Sequence, residues 1–180
     1  MIFNLERVDH ELPLFRLPLP TADTVNAALL QDFQQHRDDP DLRRSHLFGG
    51  RYENLYLPLA RVPALAEVLA VAVAGTRQIL GLAADVELRA GGWFNEMGPG
   101  QATSLHRHDD DDELMSAVYY VTVPADSGDL LIHAGERRLR IPPRVGHLVF
   151  FPPDLAHEVT ENRSEATRLS IGINVGPVAG

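Results

Sequence analysis

At 180 residues the chain is long enough to bury one core, and its formal net charge of −9 argues against a protein that binds nucleic acid by neutralising phosphates. It has no cysteine, and all sixteen of its basic residues are arginines. Disulfides, thiolate metal sites, iron–sulfur clusters, cysteine nucleophiles, Schiff-base lysines and a Walker-type phosphate lysine are therefore excluded together.

The N-terminus lacks a basic start followed by an apolar run, so no signal peptide is expected and a cytoplasmic chain is the expectation. A first helix is expected over residues 21–36, capped by Thr21, with Val25, Ala28, Leu29 and Phe33 on one face. A polar, arginine-rich loop follows over 37–51, holding Pro40 and the Gly49-Gly50 pair. The second helix is expected over 63–80, with Pro63 in its first turn and Gly81 at its end. Pro63, Glu67, Thr76, Arg77 and Gln78 interrupt the longest apolar stretch, which reads as a buried helix and not a membrane span.

From Asp85 onward short strands alternate with Gly, Pro and Asp turns. Eight are expected, over 86–95, 103–108, 114–123, 129–133, 137–141, 147–151, 157–160 and 168–175. That pattern predicts a mainly β fold with N-terminal helices: a jelly-roll barrel braced on one face. The expected organisation is a single domain over 1–180, with 85–176 as the barrel and 1–84 as helical support and a candidate lid.

The chemistry concentrates on that barrel. Residues two apart on a strand point to one side, so two members of His106-Arg107-His108-Asp109-Asp110 can grip one metal. His157, on a facing strand, can supply a further ligand. Two histidines and one carboxylate leave open positions for a co-substrate and dioxygen, which suits non-haem iron(II). Arg168 opens the next strand, with Ser170 facing the same way. A guanidinium there can hold the far carboxylate of an anionic co-substrate as a bidentate pair, and the Ser170 hydroxyl can add a hydrogen bond.

The stretch from His147-Leu148-Val149-Phe150-Phe151 through His157-Glu158-Val159 to Arg168-Leu169-Ser170-Ile171 resembles the distal half of the iron(II)/2-oxoglutarate-dependent oxygenases. It is similar to their prolyl hydroxylase-like branch and to an uncharacterised branch with a Trp-x-Asn before the metal motif, here Trp93-Phe94-Asn95. That branch also carries a strand like Ser116-Ala117-Val118-Tyr119-Tyr120-Val121. The resemblance implies a double-stranded β-helix binding Fe(II), 2-oxoglutarate and O2, with His157 as the distal iron ligand. It further implies that Arg168 binds the 2-oxoglutarate 5-carboxylate, with Tyr120 and Asn95 beside the co-substrate and Trp93 beside the substrate. The activity implied is hydroxylation of an unactivated carbon coupled to formation of succinate and carbon dioxide.

Two ligand frames compete. His108 with Asp110 gives the common His-x-Asp, whereas His106 with His108 gives the His-x-His of the uncharacterised branch; the available carboxylate favours Asp110. A cupin reading would instead recruit His106, His108, Glu113 and His157, without 2-oxoglutarate, and leaves the Arg-x-Ser without a use. A barrel that binds but no longer turns over is a third reading. His133 is expected in the core or at the rim, and His10, His36, His46 and His147 have no supporting context. For substrate, the segment 43–54 is a candidate lid over the barrel mouth, in which Arg51 would pair with a carboxylate on a small molecule, such as an amino acid or biosynthetic intermediate; a peptidyl substrate is the alternative. Neither a nucleic acid nor a membrane is an expected partner.

Overall fold

Side chains leave a strand on alternate sides, and the C-terminal strand uses this to separate two environments. In the computed structural model, which describes residues 2–108 and 112–178, the strand β12 (Arg168–Pro177) runs through the centre of the larger of two sheets. Leu169, Ile171, Ile173 and Val175 point to a core shared with the helices. Arg168, Ser170, Gly172 and Asn174 therefore point the other way, into the space between the sheets.

The other strands are β1 (Glu6–Arg7), β2 (Phe15–Pro18), β3 (Arg43–Phe48), β4 (Arg51–Tyr56), β5 (Leu88–Met97) and β6 (Thr103–His106). They continue with β7 (Met115–Thr122), β8 (Leu130–Ala134), β9 (Arg137–Ile141), β10 (His147–Phe151) and β11 (Ala156–Val159). The large sheet has the order β1-β2-β10-β7-β12-β5-β4-β3, and the small one β6-β11-β8-β9. All eight strands expected after Asp85 are present, with ends shifted by up to two residues. The architecture is the double-stranded β-helix, as two facing sheets rather than a closed barrel.

Two helices cover the outer face of the large sheet. In α1 (Ala22–His36), Val25, Leu29 and Phe33 are buried at intervals of four, and the Phe33 ring stacks on Phe94 of β5 at 5.1 Å between centroids. Thr21 does not cap α1 with its side chain: its hydroxyl donates instead to Glu67 of α2 (Leu65–Leu80). That second helix starts at Leu65, two residues after the expected Pro63, and ends at Gly81. A smaller apolar cluster, including Leu14, Tyr120, Leu130, Ile132, Val149 and Phe151, fills the space between the sheets.

The segment expected as a loop is a hairpin. β3 pairs with β4 from Arg43 opposite Tyr56 to Phe48 opposite Arg51. Gly49 and Gly50 form its two-residue turn at φ 56° and 81°, a conformation that L side chains adopt only with strain. Its strands hide from pattern reading because β3 is an edge strand with a largely exposed, arginine-rich sequence and no apolar alternation. β1 and β2 were likewise not expected; β2 extends the large sheet by pairing with β10.

Phe94 is fully buried between the sheet and α1. Phe94→Ala is expected to cost about 3–5 kcal/mol of stability in urea denaturation, with the cavity falling under the helices and away from the polar interior.

Candidate metal and co-substrate site

β6 lies at the edge of the small sheet and pairs with β11 so that His106 is directly opposite His157. His108 follows two residues on, its backbone N–H donating to the Pro153 carbonyl at 2.8 Å. The imidazole centroids are 4.3 Å apart for His106 and His157, 5.4 Å for His108 and His157, and 5.2 Å for His106 and His108. One potential ligand nitrogen from each ring lies within 4.8 Å of the other two, a spacing that can hold a metal ion.

Hydrogen bonds fix two of the rings. His106 Nδ1 is 2.7 Å from the Ser104 carbonyl, and His157 Nδ1 is 2.9 Å from the Leu155 carbonyl. A carbonyl only accepts, so both Nδ1 atoms carry the proton and both Nε2 atoms keep a lone pair for a metal. Burial, with His106 and His108 nearby, pushes the His157 pKa down to about 3, so this imidazole is neutral at ordinary pH, the form that can bind a metal.

Asp110, in the frame that competes with His106, lies outside the described residues. Glu113, a ligand in the cupin reading, is not in the clustered group; it accepts from Asn174 Nδ2 at 3.1 Å. His133 points out from the small sheet and pairs with Glu158 at 2.8 Å. Asn162, in a glycosylation-like sequence, is fully buried, with its amide donating to the Met97 and Ala166 carbonyls.

A narrow cavity of about 60 Å³ runs inward from the three histidines, lined among others by Trp93, Asn95, Thr103, Ser170 and Asn174. Trp93 fits there because residue 172 is glycine: a Cβ at that position would lie 2.5 Å from the indole. One pleat deeper along β12 is Arg168, with no exposed surface. Its Nη1 donates to the Gly128 carbonyl at 2.6 Å, and its guanidinium carbon stands 5.1 Å from the centroid of the Tyr120 ring. Among the described residues, Arg168 Nε and Nη2, Tyr120 Oη and Asn95 Oδ1 are buried without a hydrogen-bond partner. Burial pushes the Arg168 pKa down and the Tyr120 pKa up. A buried cation with two idle donors is costly unless an anion completes it, so this end of the site fits a carboxylate.

The two residues expected to meet substrate separate. Trp93 lines the site and stands 5.6 Å from His108 between centroids. Arg51 lies on the hairpin face turned away from the mouth: its Nη2 donates to the Ala102 carbonyl at 2.9 Å, and it lines a separate cavity with Arg37, Arg44 and Glu96. At the mouth itself a cleft of about 200 Å³ is lined by His46, Asn54 and Tyr56 from the hairpin, with Trp93, Glu113 and Asn174. Sequence reasoning named His46 and Asn54 only as members of the candidate lid segment 43–54, and missed Tyr56, Thr103 and Asn174. Period-two counting from Arg168 would have found Asn174; the hairpin residues have no such signal because the hairpin was not expected.

The chain matches, over residues 92–176, the family model described as the 2OG-Fe(II) oxygenase superfamily. It is thus an oxygenase that uses Fe(II), with 2-oxoglutarate and O2 as co-substrates. Its fold is shared with a prolyl-4-hydroxylase of Pseudomonas putida, at TM-score 0.70 and 23% identity over 92% of this chain and 93% of that one. It is shared also with SnoK, a non-haem α-ketoglutarate-dependent carbocyclase of nogalamycin biosynthesis, at TM-score 0.73 and 15% identity over 92% and 80%. A prolyl hydroxylase of Trichoplax adhaerens, solved with a hypoxia-inducible-factor peptide, aligns at TM-score 0.69 and 13% identity over 92% and 84%. No curated protein matches the sequence. No helix among the described residues is long and apolar enough to cross a membrane.

The depressed His157 pKa has a consequence for the metal-free protein. An unfolded imidazole takes up a proton near pH 6.5, the folded one only near 3, so the unfolded state binds more protons between those values. Stability therefore falls as pH drops through this window. His157→Gln is expected to lose less Tm than the parent between about pH 7 and pH 5; parallel losses would refute the buried neutral imidazole.

Proposed function

We propose that His106, His108 and His157 hold the iron and that Arg168 anchors the 5-carboxylate of 2-oxoglutarate, making the protein a hydroxylase of a small polar molecule. The observation that carries this is the pairing of a metal-sized cluster of three histidines with a buried, partly unpartnered arginine on the same interior face. Bound iron, with 2-oxoglutarate and O2, supplies the two-electron oxidation of a C–H bond while succinate and carbon dioxide leave.

The chain's own contribution is position and dryness. The Ser104 and Leu155 carbonyls hold two imidazoles with Nε2 toward the metal. Arg168 offers Nε and Nη2 to a carboxylate, with the Tyr120 hydroxyl beside it. Asn95 and Ser170 line the path between histidines and arginine. The cavity must extend one pleat inward to admit the co-substrate, and Arg168 is the group whose satisfaction would favour that opening. Phe151 and Val159 give the path apolar walls.

The mouth supports the substrate class. At about 200 Å³ the cleft is smaller than the pockets that take drug-sized ligands, and its lining mixes the Trp93 and Tyr56 rings with His46, Asn54 and Asn174 as hydrogen-bonding groups. A molecule of amino-acid size, or a short biosynthetic intermediate, fits this description. Any substrate carboxylate would meet the polar hairpin side chains, since Arg51 faces elsewhere. A peptidyl substrate is the second reading, favoured by Leu47, Phe48 and Tyr52, which stand exposed toward the hairpin tip.

Replacing His106, His108 or His157 by Ala is expected to abolish stoichiometric Fe(II) binding under anaerobic titration, while Asp110→Ala retains it. Retention by His106→Ala with loss in Asp110→Ala would reverse that assignment. Arg168→Met is expected to weaken 2-oxoglutarate binding by about 30- to 1000-fold, or about 2–4 kcal/mol, with Fe(II) affinity nearly unchanged. Because it removes a buried, incompletely paired cation, the same variant is expected to match or exceed the parent in metal-free Tm. Normal 2-oxoglutarate affinity in Arg168→Met would remove this arginine from the site. Succinate release across amino acids, their amides and short peptides tests the substrate class: free small molecules should be turned over, with KM raised in Asn54→Ala. Turnover of peptides alone would establish the second reading.

A further inference from the structure

Among the described residues, the strand that presents His106 has one strand neighbour. β6 pairs with β11 on one side, and that pairing shifts register between His157 and Val159. On the other side its backbone groups meet side chains from the hairpin. The Ser104 backbone N–H donates to Glu53 Oε1 at 2.7 Å, and the Ser104 hydroxyl donates to Glu53 Oε2 at 2.7 Å. Two residues before Glu53, on the same face of β4, Arg51 Nη2 donates to the Ala102 carbonyl at 2.9 Å.

Glu53 is 2% exposed. Taking a carboxylate out of water costs several kcal/mol unless hydrogen bonds compensate, and both oxygens of this one are spent on a single residue. That residue is the one whose carbonyl accepts the His106 Nδ1 proton, at 2.7 Å. The chain of contacts therefore runs from the Glu53 carboxylate, through Ser104, to the tautomer and orientation of the His106 ring.

We infer that Glu53 is a positioning residue for the metal site: by clamping Ser104 it holds the carbonyl that keeps His106 Nε2 free and aimed at the iron. The inference rests on His106 being a ligand. It accounts for a buried acid on an otherwise polar edge hairpin, and it gives the hairpin a role in metal binding as well as at the mouth. His157 supplies an internal control, because its Nδ1 proton goes to Leu155 and does not depend on Glu53.

Anaerobic titration with Fe(II) alone, with no co-substrate, is the first measurement. Glu53→Ala is expected to weaken Fe(II) binding about 10- to 100-fold, the usual cost of removing a partner that orients a ligand. Glu53→Gln keeps the length and an acceptor oxygen and is expected to recover most of that loss. Imidazole proton–nitrogen spectra of the metal-free protein give a second readout that a general loss of stability would not produce. The parent should show the Nδ1–H tautomer at His106 and at His157, whereas Glu53→Ala should show mixed tautomers at His106 with His157 unchanged.

If Glu53→Ala fails to fold, Ser104→Ala removes one of the two clamp bonds while sparing the carboxylate, and it should weaken Fe(II) binding measurably with the fold intact. Parent-like Fe(II) affinity and a parent-like His106 tautomer in Glu53→Ala, or in Ser104→Ala where only that variant folds, would overturn the inference. His106→Ala separates the two assignments. If it keeps parent affinity, the ligand assignment fails and the clamp with it; if it loses iron while Glu53→Ala does not, only the clamp fails.

Discussion

Everything at this site depends on the strict alternation of side chains along the strands of the large sheet. On β12 it sends Leu169, Ile171, Ile173 and Val175 under the helices and leaves Arg168, Ser170, Gly172 and Asn174 between the sheets. On β5 it buries Phe94 against Phe33 and turns Trp93 and Asn95 inward. On β7 it separates two adjacent tyrosines: Tyr119 reaches Asn26 of α1, and Tyr120 lies over the Arg168 guanidinium. A slip of one residue in any of these strands would exchange core and site.

The interior that results is unequal along its length. Near the mouth, polar groups are engaged: His106 and His157 donate to carbonyls, and Asn174 bonds Glu113 and Ser116. At depth they are not, with two Arg168 nitrogens, the Tyr120 hydroxyl and the Asn95 carbonyl oxygen lacking protein partners among the described residues. Protein interiors rarely leave so many buried polar atoms unpartnered in one place, because each such atom costs free energy. In the proposed reading, the co-substrate carboxylate is the partner that these groups lack within the protein.

The hairpin of β3 and β4 joins these regions to the surface. One face, with Arg51 and Glu53, grips β6 just before the histidines; the other, with Asn54 and Tyr56, lines the mouth alongside His46. His46 holds this place with φ at 58°, where its ring nitrogen meets Ser45 and Asn54. Backbone held in that region needs compensation from its surroundings, and here the two side-chain contacts supply it.

Local pattern was enough for the eight strands after Asp85, for both helices, and for the shared face of Arg168 and Ser170, because period two and period 3.6 are properties of the chain itself. The resemblance carried by the strands around His157 and Arg168 was legible for the same reason. Pattern left His106 and Asp110 as competing frames, since both lie two residues from His108; among the described residues, the pairing of His106 opposite His157 across two sequence-distant strands brings three imidazoles together. Nor could it place Arg51, whose direction depends on which face of an edge hairpin meets β6. Polar edge strands such as β3 carry no hydrophobic alternation, so their existence, and with it the roles of His46, Glu53, Asn54 and Tyr56, was decided only when the tertiary structure supplied neighbours for their hydrogen bonds.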